Sequence, residues 1–450
     1  MSEFDIDRIA RFEDAEAVVF HGRSWTYRQL VGLVADWQQY LDGHGVRPGD
    51  VVTLEGAYSP QICAGLLALI DRGAVVVPLT PLPAAKRAEF LEVAEVEVVV
   101  TADGTGARTL ERTGRTAGHE LYGRLRAAGS PGLVLFSSGT TGRSKASVLD
   151  FRKVLARYAP GGTPRRILSF LSLDHIGGIN TLLHTLVQGG TVVTVAERTP
   201  EAVFAAVQEY GVQILPTTPT FLNMVLFSDV LERYDCSALQ LVTYGTEPMP
   251  ISTLTRLAGL LPAVRFKQTY GLSELGILPT KSRGDDTLWV KLGAAAGFEY
   301  KIIDSVLWIR SEMAMLGYLN AEAPFDEDGF FNTQDVVETD GEWMRILGRR
   351  SEIINVGGEK VYPSEVESTV LEVPGIAEAT VSGHPSPVTG MVVKATVLLA
   401  PDQDADARTV QRLIREHCRR KLEAYKVPAL VEVSGARQHS DRFKKIRSAA

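Results

Sequence analysis

An apolar run, Leu133-Val-Leu-Phe136, passes directly into Ser137-Ser138-Gly139-Thr140-Thr141-Gly142-Arg-Ser-Lys145. Glycines let backbone N–H groups approach an anion, hydroxyls add donors, and Lys145 adds positive charge. Those residue types in that order suit a polyphosphate. The alternative is a flexible Ser/Gly surface loop, which would seldom follow an apolar strand so abruptly. The loop is not a Walker A motif, because Ala146 follows the lysine and the glycine spacing differs. No histidine pair has the HExxH spacing of a zinc protease, and no Gly-x-Ser-x-Gly elbow is present. Cys63, Cys236 and Cys418 are too dispersed for a CxxC pair or a Cys-rich zinc site.

The loop ending at Lys145 resembles the phosphate loop of the adenylate-forming superfamily, which comprises acyl-CoA synthetases, stand-alone adenylation enzymes and luciferases. It departs from that pattern at Ser144 and Ala146, where proline and glycine are usual. Trp25-Thr-Tyr-Arg-Gln-Leu30 and Asp71-Arg-Gly-Ala-Val-Val-Val-Pro-Leu79 are similar to two early family motifs. Tyr244-Gly245-Thr246-Glu247-Pro248 resembles the loop that borders adenine, and Tyr270-Gly271-Leu272-Ser273-Glu274 resembles Tyr-Gly-x-Thr-Glu. Asn332-Thr-Gln-Asp335 has Gln334 in place of glycine. Gly348-Arg-Arg-Ser-Glu-Ile-Ile-Asn-Val-Gly-Gly358 resembles the hinge and its following loop. Arg442-Phe-Lys-Lys-Ile-Arg447 is similar to the terminal Arg-Thr-Gly-Lys-Ile segment, with Lys445 in the lysine register and Lys444 where glycine is usual.

The resemblance implies an α/β protein: a large N-terminal lobe of mixed, largely parallel sheets with helices, and a small mobile α+β C-terminal domain. Expected boundaries are 1–347 for the first, 348–351 for a hinge centred on Ser351, and 352–450 for the second. It implies ATP and Mg²⁺ as cofactors. Lys145, Ser273 and the Ser137–Gly142 loop would hold phosphates, and Glu274 would be the magnesium ligand, a hard oxygen donor. Tyr270 would offer an aromatic face to the purine. Asp335 and Arg349 would take the ribose hydroxyls. Lys445 would neutralise charge as a carboxylate meets the α-phosphate. His175, in Leu173-Asp-His-Ile-Gly-Gly178, falls at a family position near the acyl pocket, with Ile176, Gly177, Gly271 and Leu278 as further lining. Gly357 and Gly358 would border a thiol tunnel. Taken one at a time, Tyr270 reads as a core tyrosine, Glu274 as a solvated acid and the terminal lysines as a basic tail.

The implied chemistry is activation of a carboxylic acid as an acyl-adenylate with release of pyrophosphate. The acyl group would then pass to a thiol, either CoA or the phosphopantetheine of a carrier protein. Two alternatives stay open: an amide synthetase with an amine acceptor, and a degenerate member that binds nucleotide or acyl ligand without turnover. The acid itself is not legible.

These residues need elements to carry them. Short β-branched runs at 75–77, 96–100, 133–136, 192–195 and 239–243 alternate with apolar-periodic stretches at 60–71 and 200–210, a βαβ pattern. After about residue 285 come short strands at 288–291, 300–303, 306–309 and 343–346, then helical spacing at 363–371 and 409–422. The segment 108–132, rich in Gly, Arg and Thr, reads as a surface connection. The 450 residues carry 47 basic and 54 acidic side chains, a net charge of −7. That balance argues against a nucleic-acid binder. The last fifty residues carry 12 basic and 7 acidic side chains, +5, so the remainder is −12. No apolar stretch is long enough to span a bilayer. Three scattered cysteines fit a reducing compartment. The expectation is a cytoplasmic enzyme with no membrane partner.

Overall fold

The computed structural model describes residues 6–138, 144–158, 161–293, 297–400, 403, 406–440, 443 and 445. Gly139, Thr140, Thr141 and Gly142 of the expected phosphate loop lie outside the described residues.

Two seven-stranded sheets form the centre of the large lobe. In one, Val51–Glu55, Val75–Leu79 and Val98–Ala102 run parallel, and Val75–Leu79 also pairs parallel with Gly132–Ser138. All five residues of Val75–Leu79 are buried, as a strand covered on both faces requires. In the other, six parallel strands run from Arg265–Gln268 through Leu241–Tyr244 to Glu16–Phe20, with Arg23–Thr26 antiparallel at the edge. A six-stranded antiparallel sheet follows, containing Phe331–Asp340 paired with Trp343–Arg349.

A five-stranded sheet draws all its strands, Ile354–Val356 to Leu430–Val433, from the end of the chain. With helices Pro363–Val370 and Ala407–Lys421 it encloses its own core, including Val361, Val366, Val381, Ile414 and Cys418. This is the smaller C-terminal domain.

Local chemistry sets the helix ends. Pro60–Asp71 begins after Ser59, whose hydroxyl accepts from Ile62 N at 3.3 Å, and proline opens its first turn. Pro200–Tyr210 starts in the same way after Thr199 and stops at Gly211, which is left-handed at φ +58°.

The segment 108–132 is more than a surface connection. It holds an edge strand, Arg108–Arg112, antiparallel to Val98–Ala102, and a helix, Glu120–Ala128. The helix buries Leu121, Tyr122 and Leu125. Those apolar positions at helical spacing outweigh the Gly- and Arg-rich composition around them.

Candidate active site

The strand before the expected phosphate loop pairs with another strand. Gly132–Ser138 returns as the antiparallel strand Ser144–Asp150, with Ser137 paired to Lys145 and Ser138 to Ser144. The two described strands on either side of the expected loop are thus an antiparallel pair. Its return strand is braced on the far side by Gly317–Tyr318. Asn320 completes the brace: its Oδ1 accepts from Ala146 N at 3.1 Å and its Nδ2 donates to Ser144 O at 2.9 Å. Lys145 Nζ lies 5.2 Å from the Tyr318 ring centroid, a cation–π distance.

Ser273 and Glu274 sit in the turn between Tyr270–Leu272 and Gly276–Leu278, which pair antiparallel. Glu274 is buried, and its Oε1 accepts the Tyr318 hydroxyl at 2.7 Å. Tyr318 and Asn320 belong to none of the sequence motifs above. The one signal was their place a short stretch beyond strand Val306–Ser311, with no chemical motif of their own.

Tyr270 is also buried, and its hydroxyl donates to Asp335 Oδ2 at 2.6 Å. Asp335 and Arg349 are register partners across neighbouring strands, with Arg349 Nε 3.6 Å from Asp335 Oδ1. Burial pushes the Asp335 carboxyl above the ordinary aspartate value, against the opposing pull of Arg349 and the Tyr270 hydroxyl. Burial and the adjacent Asp335 charge raise the Tyr270 phenol well above its usual range. Burial works against the Arg349 charge, but Asp335 first and Glu274 next raise its pKa on balance. The Tyr270–Asp335–Arg349 cluster therefore shares one electrostatic environment with Glu274.

The preceding residue, Gln334, stands at φ +61°, the left-handed geometry that explains why glycine suits this position. At 244–248 the chain leaves strand Leu241–Tyr244. A Cβ on Gly245 would stand 2.6 Å from Thr269 Oγ1 and 2.8 Å from Thr269 O, so the close approach needs glycine. Thr246 adopts φ +74°, an outlier for a β-branched residue. Pro248 lies three residues before the start of helix Ile251–Leu260. The Glu247 side chain is engaged on the side of the loop that faces helix Pro219–Leu226: Oε1 accepts from Thr220 N at 2.7 Å and from the Thr220 hydroxyl. Its Oε2 accepts from Lys445 N at 3.2 Å.

Lys445 Nζ pairs with Glu367 Oε2 of the small domain at 2.8 Å. Glu367 is buried at 2% exposure and Lys445 is partly buried at 11%. The lysine is thus held by Glu367 and Glu247 rather than beside Glu274.

His175 caps helix Ile176–Val187: its Nδ1 accepts from Gly177 N at 3.0 Å, which places any ring proton on Nε2. Ile176 and Leu278 are packed into the main hydrophobic core. At Gly177 and Gly271 an added Cβ would stand 2.6 Å from Leu171 Cδ1 and 2.7 Å from Gly276 O respectively. Gly357 and Gly358 form the exposed two-residue turn between Ile354–Val356 and Glu359–Val361, at φ +62° and +95°. Hairpin geometry alone accounts for both glycines. Ser351 is exposed in the 3₁₀ turn Arg350–Glu352.

No helix among the described residues is long and apolar enough to cross a membrane. Cys63, Cys236 and Cys418 are free thiols.

The AMP-binding enzyme model matches residues 6–319, and the AMP-binding enzyme C-terminal domain model matches 365–439. A 7a-methyl-1,5-dioxo-octahydroindenyl-propanoyl:CoA ligase of Mycobacterium tuberculosis is 27% identical, covering 95% of this chain and 93% of the relative. A feruloyl-CoA synthase of Amycolatopsis is 28% identical, covering 96% and 94%. Among solved structures, the amide bond synthetase McbA of Marinactinospora thermotolerans superimposes with a TM-score of 0.75 at 26% identity, covering 96% of both chains.

Proposed function

Because the chain belongs to the AMP-binding enzyme family, we propose that it is an ATP-dependent acid–thiol ligase. It activates a carboxylic acid as an acyl-adenylate, releases pyrophosphate, and passes the acyl group to the thiol of CoA or of a carrier protein's phosphopantetheine. The observation that carries this reading is the joining of Tyr270, Asp335 and Arg349 in one bonded cluster. It shares its field with Glu274, which Tyr318 holds beside Lys145. One end suits a nucleoside and the other a polyphosphate.

A carboxylate is a poor acyl donor because its oxygen is a poor leaving group. In-line attack on the α-phosphate of ATP replaces that oxygen with AMP. Asp335 accepts the two ribose hydroxyls, Arg349 holds Asp335 in place, and Tyr270 lies along the purine. Lys145, with Ser137, Ser138 and Ser273, holds the phosphates and balances their charge. Lys445 supplies its positive charge where carboxylate and α-phosphate meet, which requires that it exchange Glu367 for the reacting groups.

Glu274 fits Mg²⁺. It is a hard donor oriented by Tyr318, and no group of three or more His, Cys, Asp or Glu among the described residues could hold a metal by itself. A single carboxylate is the protein donor that a Mg²⁺ held jointly with phosphates would take. When bound, Mg²⁺ neutralises the polyphosphate charge.

We assign residues 1–347 and 352–450 to the two lobes, with the pivot at Ser351. His175, Ile176, Gly177, Gly271 and Leu278 line the acyl side, and Gly357 and Gly358 border the thiol path once the small lobe turns. The free thiols are consistent with a cytoplasmic setting. Amide formation is the second reading, favoured by the 26% identity to an amide bond synthetase over nearly the whole chain.

The test is acid-dependent exchange of pyrophosphate into ATP over a panel of aryl and short-to-medium acyl carboxylic acids, followed by product analysis with CoA or amines. Exchange followed by thioester supports the ligase. Amide as sole product moves the enzyme to the second reading. No exchange with any acid refutes both.

A further inference from the structure

The Glu247 carboxylate touches two parts of the molecule that are remote in sequence. One oxygen takes both the backbone N–H and the hydroxyl of Thr220, at the start of helix Pro219–Leu226. The other takes the backbone N–H of Lys445 at 3.2 Å. Two residues earlier the tail is anchored again. The Phe443 ring packs 5.1 Å from Phe170 and 5.8 Å from Phe221, both in the large lobe, and 5.2 Å from His439. Arg198 lies 5.6 Å from the same ring. The tail that bears Lys445 is therefore seated on the large lobe at two points, one apolar and one charged.

We infer that Glu247 is a positioning residue, tying the loop at 244–248 to the backbone of Lys445 so that this loop sets where the lysine side chain begins. The inference rests on reading Lys445 as the adenylation lysine. It differs from the family-implied role of Glu247 at the purine, because the contacts of this carboxylate run to Thr220 and the tail. Gly245 and Thr246 make the tie stiff. One is wedged against Thr269, and the other is fixed in a left-handed conformation.

Glu247→Gln isolates the tie. A glutamine amide has one acceptor oxygen, and two Thr220 donors compete for it against one from Lys445. The oxygen stays with Thr220 and the NH₂ group meets the Lys445 N–H, donor against donor. Helix Pro219–Leu226 keeps its contact while the tail loses its own. Loss of one hydrogen bond to a charged acceptor predicts a fall of about tenfold or more in kcat for pyrophosphate exchange. KM for ATP should stay within about twofold, because the nucleotide contacts are untouched. Thioester formation from preformed acyl-adenylate should be unchanged. In a Lys445→Ala background, Glu247→Gln should cost nothing further, since its effect passes through that side chain. Hydrogen exchange at the Lys445 amide should speed up about tenfold or more, a readout that needs no substrate.

A raised KM for ATP at unchanged kcat, an equal loss in the Lys445→Ala background, or unaltered exchange at the Lys445 amide would each overturn the inference. Should the wild-type enzyme exchange no pyrophosphate with any acid, the ligase reading fails. The amide-exchange result still decides the tie.

Discussion

Tyr270 and Asp335 stand 65 residues apart in the chain and meet through a 2.6 Å hydroxyl-to-carboxylate hydrogen bond. The bond joins a small hairpin to the antiparallel sheet and leaves Asp335 Oδ1 facing Arg349. One carboxylate is thereby fixed from two sides before any ligand arrives.

That geometry makes the tyrosine hydroxyl separable from its ring. Tyr270→Phe keeps the aromatic face and removes the donor. A hydrogen bond to a charged group contributes about 1.5–3 kcal/mol, so KM for ATP should rise about tenfold or more. Asp335→Asn removes the charge as well and should raise KM further. Steady-state pyrophosphate exchange checks both. An unchanged KM in Tyr270→Phe would mean that Arg349 alone orients the carboxylate.

The raised Asp335 pKa has two consequences of opposite sign. Burial keeps the proton on this carboxyl at pH values where an ordinary aspartate has lost it. In the proposed role, only the ionised form would accept from both ribose hydroxyls. KM for ATP should therefore climb as pH falls, beginning above the usual aspartate value of about 3.9. In the same window the folded state binds more protons than the unfolded chain. Ionisation of Asp335 thus subtracts stability as pH rises toward its folded pKa. Asp335→Asn should flatten both profiles in that window. A KM profile identical in wild type and Asp335→Asn would remove Asp335 from nucleotide binding.

Lys445→Ala should lower pyrophosphate exchange by about 10²–10³-fold, the scale of losing one preorganised charge at the reacting centre. Transfer from preformed acyl-adenylate to the acceptor should survive. Near-normal exchange would place the adenylation role on another lysine of the tail.

Thr246→Gly tests strain. A left-handed L-residue costs about 1–2 kcal/mol, and glycine gives back about 0.4–1 kcal/mol through its looser unfolded chain. The variant should gain up to about 1.6 kcal/mol in denaturant unfolding. An unchanged midpoint would mean that local contacts of the threonine already compensate.

Much of this was legible because proline, hydroxyl caps and apolar spacing are local signals. Helices Pro60–Asp71 and Pro200–Tyr210 carry all three and appear at the expected positions. So does strand Val75–Leu79, whose run of buried residues leaves no polar face to misread. Tyr318 was invisible because its meaning lies in a partner 44 residues away, and nothing around it marks chemistry. The Lys445–Glu367 pair was hidden for the same reason, joining positions 78 residues apart. The direction of the Glu247 side chain, toward Thr220 and the Lys445 backbone, follows a left-handed turn at Thr246 that composition does not express.

The strand Ser144–Asp150 is bonded on one edge to Gly132–Ser138 and on the other to Gly317–Tyr318. Tyr318 in turn grips Glu274. Lys145 and Glu274 are therefore carried by one connected piece of structure, a strand pair and a tyrosine between them. A cation and an anion of the candidate site thus share one support, and a substitution at Tyr318 reaches both.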